Sequence, residues 1–422
     1  MHGPARPAIV RLCGLALAVA LGGCSFGPRM IEKTHGQYQE SLRLVDEQQF
    51  LRNLVHLRYG ESPMSLNVSS IATQYELAGG AEARPFFVAP NPGSNPFRTF
   101  TSILPDLNVS GANRPTITLL PANDGDAVRR FLTPISTDTL AFLTETSWPV
   151  SVVFRLWVER LNGVPNAVTA SGPPTGVISD YGRFLRVIGL MQYAQDHEQG
   201  ALRVESRDNK VGGPVPAEKV TASVVLDAAK DKLEYRPDSD GRTWSVVRKE
   251  NRMVLRINPV ALGTPAFEEL TGLLNLTPDL IEYDVVVAPG TVLDPRAFPR
   301  PPTNQLRIMT RSNEQVFYYL ANGVEVPPAH LACGQAIPLH DEAGRPIDGR
   351  QLTRGLFEVH CCQGHRPPAS AYVAVKYRDH WYYIDDRDHA SKATLTLMLQ
   401  LSRLDFGEQK PVAPFLTLPI GR

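Results

Sequence analysis

Past its first two dozen residues the chain has no apolar run long enough to cross a bilayer as a helix. Neither sign of charge is in excess, because 43 Lys and Arg face 43 Asp and Glu. Without a basic field, nucleic acid is disfavoured as a partner, and so is a purely electrostatic grip on anionic lipid. Cysteine is scarce, with five in 422 residues, so the chain is not a disulfide-stapled scaffold. The body of the chain holds no Gly-x-Ser-x-Gly elbow, no phosphate-cradling Gly-Lys-Ser loop and no dinucleotide glycine fingerprint. Internal repeats and coiled-coil heptads are also missing. Proline, in contrast, is plentiful at 36 residues, which favours an α+β or all-β fold rich in loops over a helical bundle.

The opening segment is the most readable part. Arg6 and Arg11 precede or begin a run of Leu, Ala, Val, Gly and Cys from Leu12 to Leu21, with no acidic residue before Cys24. A helix rises about 1.5 Å per residue, so this run covers only about half of a ~30 Å hydrocarbon core. A basic start, a short apolar stretch and small residues describe an export signal instead. Its end, Leu21-Gly22-Gly23-Cys24, resembles the lipobox of bacterial lipoproteins. The resemblance implies that Cys24 is acylated and becomes the new N-terminus, with two or three acyl chains giving durable membrane attachment. By that family's sorting rule, Ser25 implies the outer membrane, with the body on its periplasmic face. Removing Arg6 and Arg11 with the leader leaves two fewer basic than acidic side chains. Further on, "RSNEQVFYYLANGVEVP" and "VAVKYRDHWYYIDDRDHASK" resemble segments of an uncharacterised lipoprotein family of Gram-negative bacteria, a resemblance that brings no activity with it.

The expected organisation is a signal peptide over 1–23, a tether over 24–39, an α/β domain over 40–210, a β-meander region over 211–310 and an α+β domain over 311–422. The overall class is α+β, with mixed or antiparallel sheets and packed helices. Leu44, Leu51 and Val55, widened by Phe50, Leu54 and Leu57, predict a helix over Glu40–Tyr59 that Gly60 and Pro63 end. Ile71, Thr73, Tyr75 and Leu77 alternate as one face of a strand. The Pro-, Asn- and Gly-rich stretch 83–111 reads as a long loop. "RPTITLLP" reads as a strand, and short helices follow around Phe131 and around Leu140. β-branched alternation in "PVSVVFRLWVERLNG" predicts a strand. A helix over Ser179–Gln195, a three-stranded meander over 231–259 and helices over Pro265–Leu274 and Asn313–Asn322 come next. The last of these carries a capping box from Ser312 and Gln315. "AYVAVKYRDHWYYIDD" predicts a hairpin, and the helix after it presents Leu397, Leu401 and Leu404 to the core.

Reactive side chains gather in the final third: His330, His340, His360, His365, His380 and His389, together with Cys333, Cys361 and Cys362. "VHCCQGH" has thiols and imidazoles at zinc-like spacing, but no second Cys-x-x-Cys completes four ligands, and adjacent cysteines on a strand point to opposite sides. No metal and no cofactor is therefore expected. In an oxidising compartment Cys333 can pair with Cys361 or Cys362, a bridge worth about 3 kcal/mol through the unfolded chain. A thiol nucleophile would want a helix N-terminus to lower its pKa, and here the cysteines precede "GHRPP" at a strand end. Asp385, Asp386 and Asp388 lack the glycine and glutamate of a calcium loop and read as helix caps. The aromatic run Trp381, Tyr382 and Tyr383 alternates across a strand, for core packing on one side and a partner or glycan on the other. These readings converge on a lipid-anchored binding or assembly component of the cell envelope with an unidentified protein partner. An envelope hydrolase using the His- and Asp-rich final third and a carbohydrate-binding accessory protein are the alternatives.

Overall fold

The computed structural model describes residues 26–63, 66–86, 102–121, 125–146, 148–239, 241–287 and 302–407. Side chains are described outside 26–35, 37–38, 66–86, 102–121, 125–128 and 402–407. The lipobox, Cys24 included, lies outside these residues. Two units divide the chain: Met1–Pro63 joined with Asp126–Arg422, and Met64–Gly125. The class is α+β, as expected, with helices packed on mixed sheets.

The smaller unit is an antiparallel hairpin of two long strands, β1 (Leu66–Phe86) and β2 (Ser102–Pro121). Regular structure thus reaches into both ends of the stretch 83–111 expected as loop. Proline and glycine discourage a strand only where a ladder donor or a packed side chain is required, and a two-stranded ribbon has free edges on both sides.

In the larger unit, helix α1 (Phe26–Arg58) buries Phe50, Leu51, Leu54, Val55 and Leu57, each contributing on the order of 1.5–3 kcal/mol. Leu44, placed on that stripe from sequence, is 41% exposed. Gly60, at φ +73°, closes it. Helices α2 (Gly125–Leu132), α3 (Thr137–Glu145) and α4 (Val150–Trp157) follow. The expected strand over 150–158 is a helix for most of its length, and only β3 (Val158–Leu161) is extended. The reason is tertiary. Gln195 and Gln192 of α5 (Gly182–Asp196) accept from the backbone N–H groups of Val150 (2.9 Å) and Ser151 (3.0 Å), satisfying orphan donors at the helix start. Val150, Val153, Phe154, Leu156 and Trp157 are then buried.

The main sheet also holds β4 (Val164–Pro165), β6 (Gly200–Pro216), β7 (Leu233–Pro237), β8 (Thr243–Ile257), β9 (Glu282–Val287) and β10 (Gln305–Thr310), with the two-residue β5 (Val177–Ile178) outside it. Its order is β4-β3-β10-β9-β8-β6, with β7 also on β8 and only β9–β10 parallel. The stretch 231–259, expected as three strands, holds two, β7 and β8, because Lys249-Glu250-Asn251 lies inside β8, where β6 pairs it residue by residue. Helix α6 (Ala222–Lys230) buries no side chain, while α7 (Pro265–Leu274) starts at the expected place with Thr264 as its cap.

Helix α8 (Asn313–Ala321) has the expected capping box. Just before it sits Arg311, fully buried. Its Nε donates to Ser171 Oγ (2.7 Å), Nη1 donates to the Arg155 (2.9 Å) and Leu156 (3.3 Å) carbonyls, and Nη2 donates to the Asn166 carbonyl. The guanidinium also lies over the Tyr319 ring at 4.4 Å. Burial lowers its pKa to about 10, so it stays charged and ties three segments, at 155–156, 166 and 171, to the β10–α8 junction.

The chain ends in α9 (Pro328–Ala332), β11 (His340–Asp341), which pairs with β5, and α10 (Arg350–Thr353). A three-stranded antiparallel sheet and α11 (His389–Gly407) complete it. That sheet is ordered β12 (His360–Gln363), β14 (His380–Asp385), β13 (Ala371–Tyr377). The expected hairpin turns at Arg378 and Asp379, both at positive φ (46° and 61°). On α11, Leu395, Leu397 and Met398 are buried, whereas Leu401 is only partly so. Of the expected stripe, Leu397 is buried, Leu401 is half-buried, and the Leu404 side chain lies outside the described residues. Helix α1 lies on β13, where Tyr372 donates to Glu47 (2.7 Å) and Gln48 to the Ala374 carbonyl (3.4 Å), so N-terminal and C-terminal segments share one core.

Candidate functional site

Where the end of α1 meets α9 and the C-terminal sheet, a buried polar chain runs through four elements. Tyr59, one residue past α1, places its hydroxyl 2.6 Å from His330 Nδ1 on α9 and 2.6 Å from the Tyr382 hydroxyl on β14. Cys361 on β12 stands opposite Tyr382 in the strand register and hydrogen-bonds to its side chain. Tyr382 is fully buried, and Tyr59 and His330 are nearly so. Burial, with help from His380 and Arg378, holds the His330 pKa below the ordinary histidine value. The Tyr59 hydroxyl thus bridges His330 Nδ1 and the Tyr382 hydroxyl, with the donor in each pair set by the His330 tautomer.

A second layer packs around this chain. The His330 and His380 rings meet edge to face at 4.7 Å, and His380 Nδ1 lies 2.9 Å from the Arg378 carbonyl. Arg378 covers the Tyr59 ring at 4.9 Å and the Tyr377 ring at 5.2 Å, and donates to Glu61 (2.9 Å). Tyr377 also donates to Glu61 (2.6 Å), and His56 Nδ1 sits 2.8 Å from the same carboxylate. Burial alone would raise the Glu61 pKa, but hydrogen bonds from Tyr377 and Arg378 and the charge of His56 bring it below the usual value. Burial and the Glu61 hydrogen bond push Tyr377 up to about 12.

The thiol is chemically quiet. Burial drives Cys361 up to about 12, and Glu325 and Cys362 add to the effect against the Tyr382 hydrogen bond. A thiol there stays protonated at neutral pH and is a poor nucleophile. The arrangement locks the end of α1 onto α9 and the C-terminal sheet. Of the residues singled out from sequence, His330, His380 and Cys361 come together. Cys333 lies on the turn after α9, exposed, with its thiol 3.6 Å from the His330 carbonyl. Cys362 lies on β12 next to Cys361. All three are free thiols, so the expected bridge from Cys333 to Cys361 or Cys362 is not formed in this structure, and the Cys361 thiol is engaged with Tyr382 instead. His360 lies 4.0 Å from Glu325, whose carboxylate accepts the Cys361 N–H (2.9 Å). In the acidic loop, Asp388 accepts the Ser391 N–H (3.0 Å) at the start of α11, Asp385 the Arg387 N–H (2.9 Å), and Asp386 the Lys392 ammonium (2.8 Å). Each carboxylate has a partner within the loop or helix.

Tyr59, Tyr377, Arg378 and Glu61 were not singled out from sequence. The only local hint is "RYGE" just past the buried stripe of α1, where a tyrosine must find a partner for its hydroxyl. Elsewhere, a groove of about 330 Å³ opens beside α2 and α3, lined by Arg129, Arg130, Thr133, Ser136, Thr139 and Leu401 among others. No protein family, no curated protein and no solved structure matches the chain.

Proposed function

We propose that the protein is a lipid-anchored lipoprotein of the outer membrane, with a periplasm-facing body that acts as a binding or assembly component of the envelope. The observation that carries this reading is the order of basic residues, short apolar run, Leu21-Gly22-Gly23 and Cys24. Two features of the body support the binding half. Helix α6 leaves Val224, Val225 and Leu226 between 37% and 66% exposed, an apolar surface suited to a protein partner. The groove beside α2 and α3 falls in the size range of ligand sites and is lined by two guanidiniums and three hydroxyls, not by the carboxyl-terminal histidines and aspartates. A hydrolase built on Cys361 is disfavoured by the protonated state of its thiol.

Cell fractionation tests the reading. The wild type is expected in the outer membrane, and Cys24→Ser is expected to keep its leader and leave that fraction. Crosslinkers placed at Leu226 and at an exposed site remote from α6 then test the surface. Capture of one envelope protein at Leu226 alone supports it, and equal labelling at both sites contradicts it.

A further inference from the structure

The hairpin β1–β2 sorts its sequence by face with unusual strictness. From Ile71 onward the ladder runs in unbroken register to Phe86↔Ser102, past a single irregularity between Val68 and Ser70. Paired residues share a face. One face is Ile71/Ile117, Thr73/Pro115, Tyr75/Asn113, Leu77/Gly111, Gly79/Val109, Ala81/Leu107, Ala83/Pro105 and Pro85/Ile103, without a single charge. The other carries Gln74/Arg114, Glu76, Glu82/Asp106 and Arg84. The charge-free face extends over 15 successive positions of β1, or about 45–50 Å along the strand. At a barrel tilt of 35–45° that still exceeds an apolar band of about 25 Å. Both outer edges of the ribbon are unpaired among the described residues.

We propose that copies of this chain stand side by side and each contribute β1 and β2 to one transmembrane β-barrel, charge-free face to lipid and charged face to a water-filled lumen. The proposal rests on the outer-membrane reading above and adds a spanning element and a pore to it. A lone two-stranded ribbon is marginal in water, and strands four times the usual length need something to bury them. In hydrocarbon an open strand edge cannot persist, so the ring must close. A second copy supplies a strand of matching length and matching alternation. With two strands per chain and about eight in the smallest closed barrels, the ring needs at least about four copies. Pro85, Pro105 and Pro115 each withhold one ladder donor and leave the other backbone groups of the edges free to pair.

The test uses the full-length acylated protein, extracted in mild detergent and reconstituted into phosphatidylethanolamine–phosphatidylglycerol vesicles. Mass photometry is expected to show a ring of at least about four copies, and planar-bilayer recording is expected to show stable channels. Leu77→Arg or Leu107→Arg, on the charge-free face, should cut channel insertion at least about thirtyfold. Ala78→Arg or Asn108→Arg, on the other face, should insert normally and shift selectivity toward anions. The urea melt of the larger unit should be unchanged in all four variants. A monomer without channels, or equal losses from both faces, overturns the proposal. Channels formed by protein whose Cys24 proves unmodified would refute the lipid address and leave the barrel standing. An acylated Cys24 without channels would refute the barrel alone.

Discussion

Tyr59→Phe removes one oxygen and leaves the rest of the site in place. The ring keeps its contacts with Tyr377 at 5.1 Å and His330 at 5.7 Å, and almost no apolar area is lost. What disappears is the hydroxyl shared by His330 Nδ1 and Tyr382, both at 2.6 Å. Those partners are 8% and 0% exposed, so bulk water cannot replace it. Leaving two buried polar groups short of a partner should cost on the order of 1–3 kcal/mol. For an unfolding slope of a few kcal/mol per molar, that lowers the urea midpoint by about half a molar. Tyr193→Phe, at a tyrosine 44% exposed, is the control and should change stability by less than about 0.5 kcal/mol. The assay is urea unfolding followed by circular dichroism at neutral pH. A Tyr59→Phe midpoint equal to wild type, or above it, would refute the buried chain as a stabilising feature.

The folded pKa of His330 lies below its unfolded value of about 6.5. The unfolded chain therefore protonates first as pH falls, so the stability from this group is complete above about 6.5 and is lost below that toward the folded pKa. His330→Gln should flatten urea midpoints measured across that window, and an unchanged slope would remove His330 as its source. Ellman's reagent should count three free thiols in the denatured chain besides Cys24, and Cys333, the exposed one, should react first in the native protein because Cys361 is half-buried and protonated. A count of one would restore the disulfide. Leu397→Ala, at a side chain 2% exposed, should cost about 2–5 kcal/mol, and Asp388→Ala about 1 kcal/mol through its cap on α11. Equal costs in thermal melts would contradict this division.

Features held by neighbouring residues were legible in the sequence. The stripe Phe50, Leu51, Leu54, Val55 and Leu57, the Ser312–Gln315 box and the hairpin of β13 and β14 all follow from local periodicity or capping chemistry. Segments decided by distant partners were not. Val150–Trp157 carries strand propensity, yet two glutamines about forty residues away complete its helix start. The candidate site was half visible for the same reason. His330 and Cys361 stand out as residue types, but Tyr59, which joins His330 to the Tyr382–Cys361 pair, lies 271 residues before His330 and is brought in only by packing α1 on the C-terminal sheet. Arg311 gave no local sign of burial, because the carbonyls that hold it come from the end of α4 and from Asn166, some 145 to 156 residues away.

Lipid attachment is the claim on which the cellular role depends, and intact-mass and tandem mass spectrometry of the protein from its native membrane measures it directly. The account requires a mature chain beginning at Cys24 and carrying diacylglycerol on its thiol, with or without a third acyl chain on the new amino group. A mature N-terminus at any other residue, or an unmodified Cys24, would contradict it.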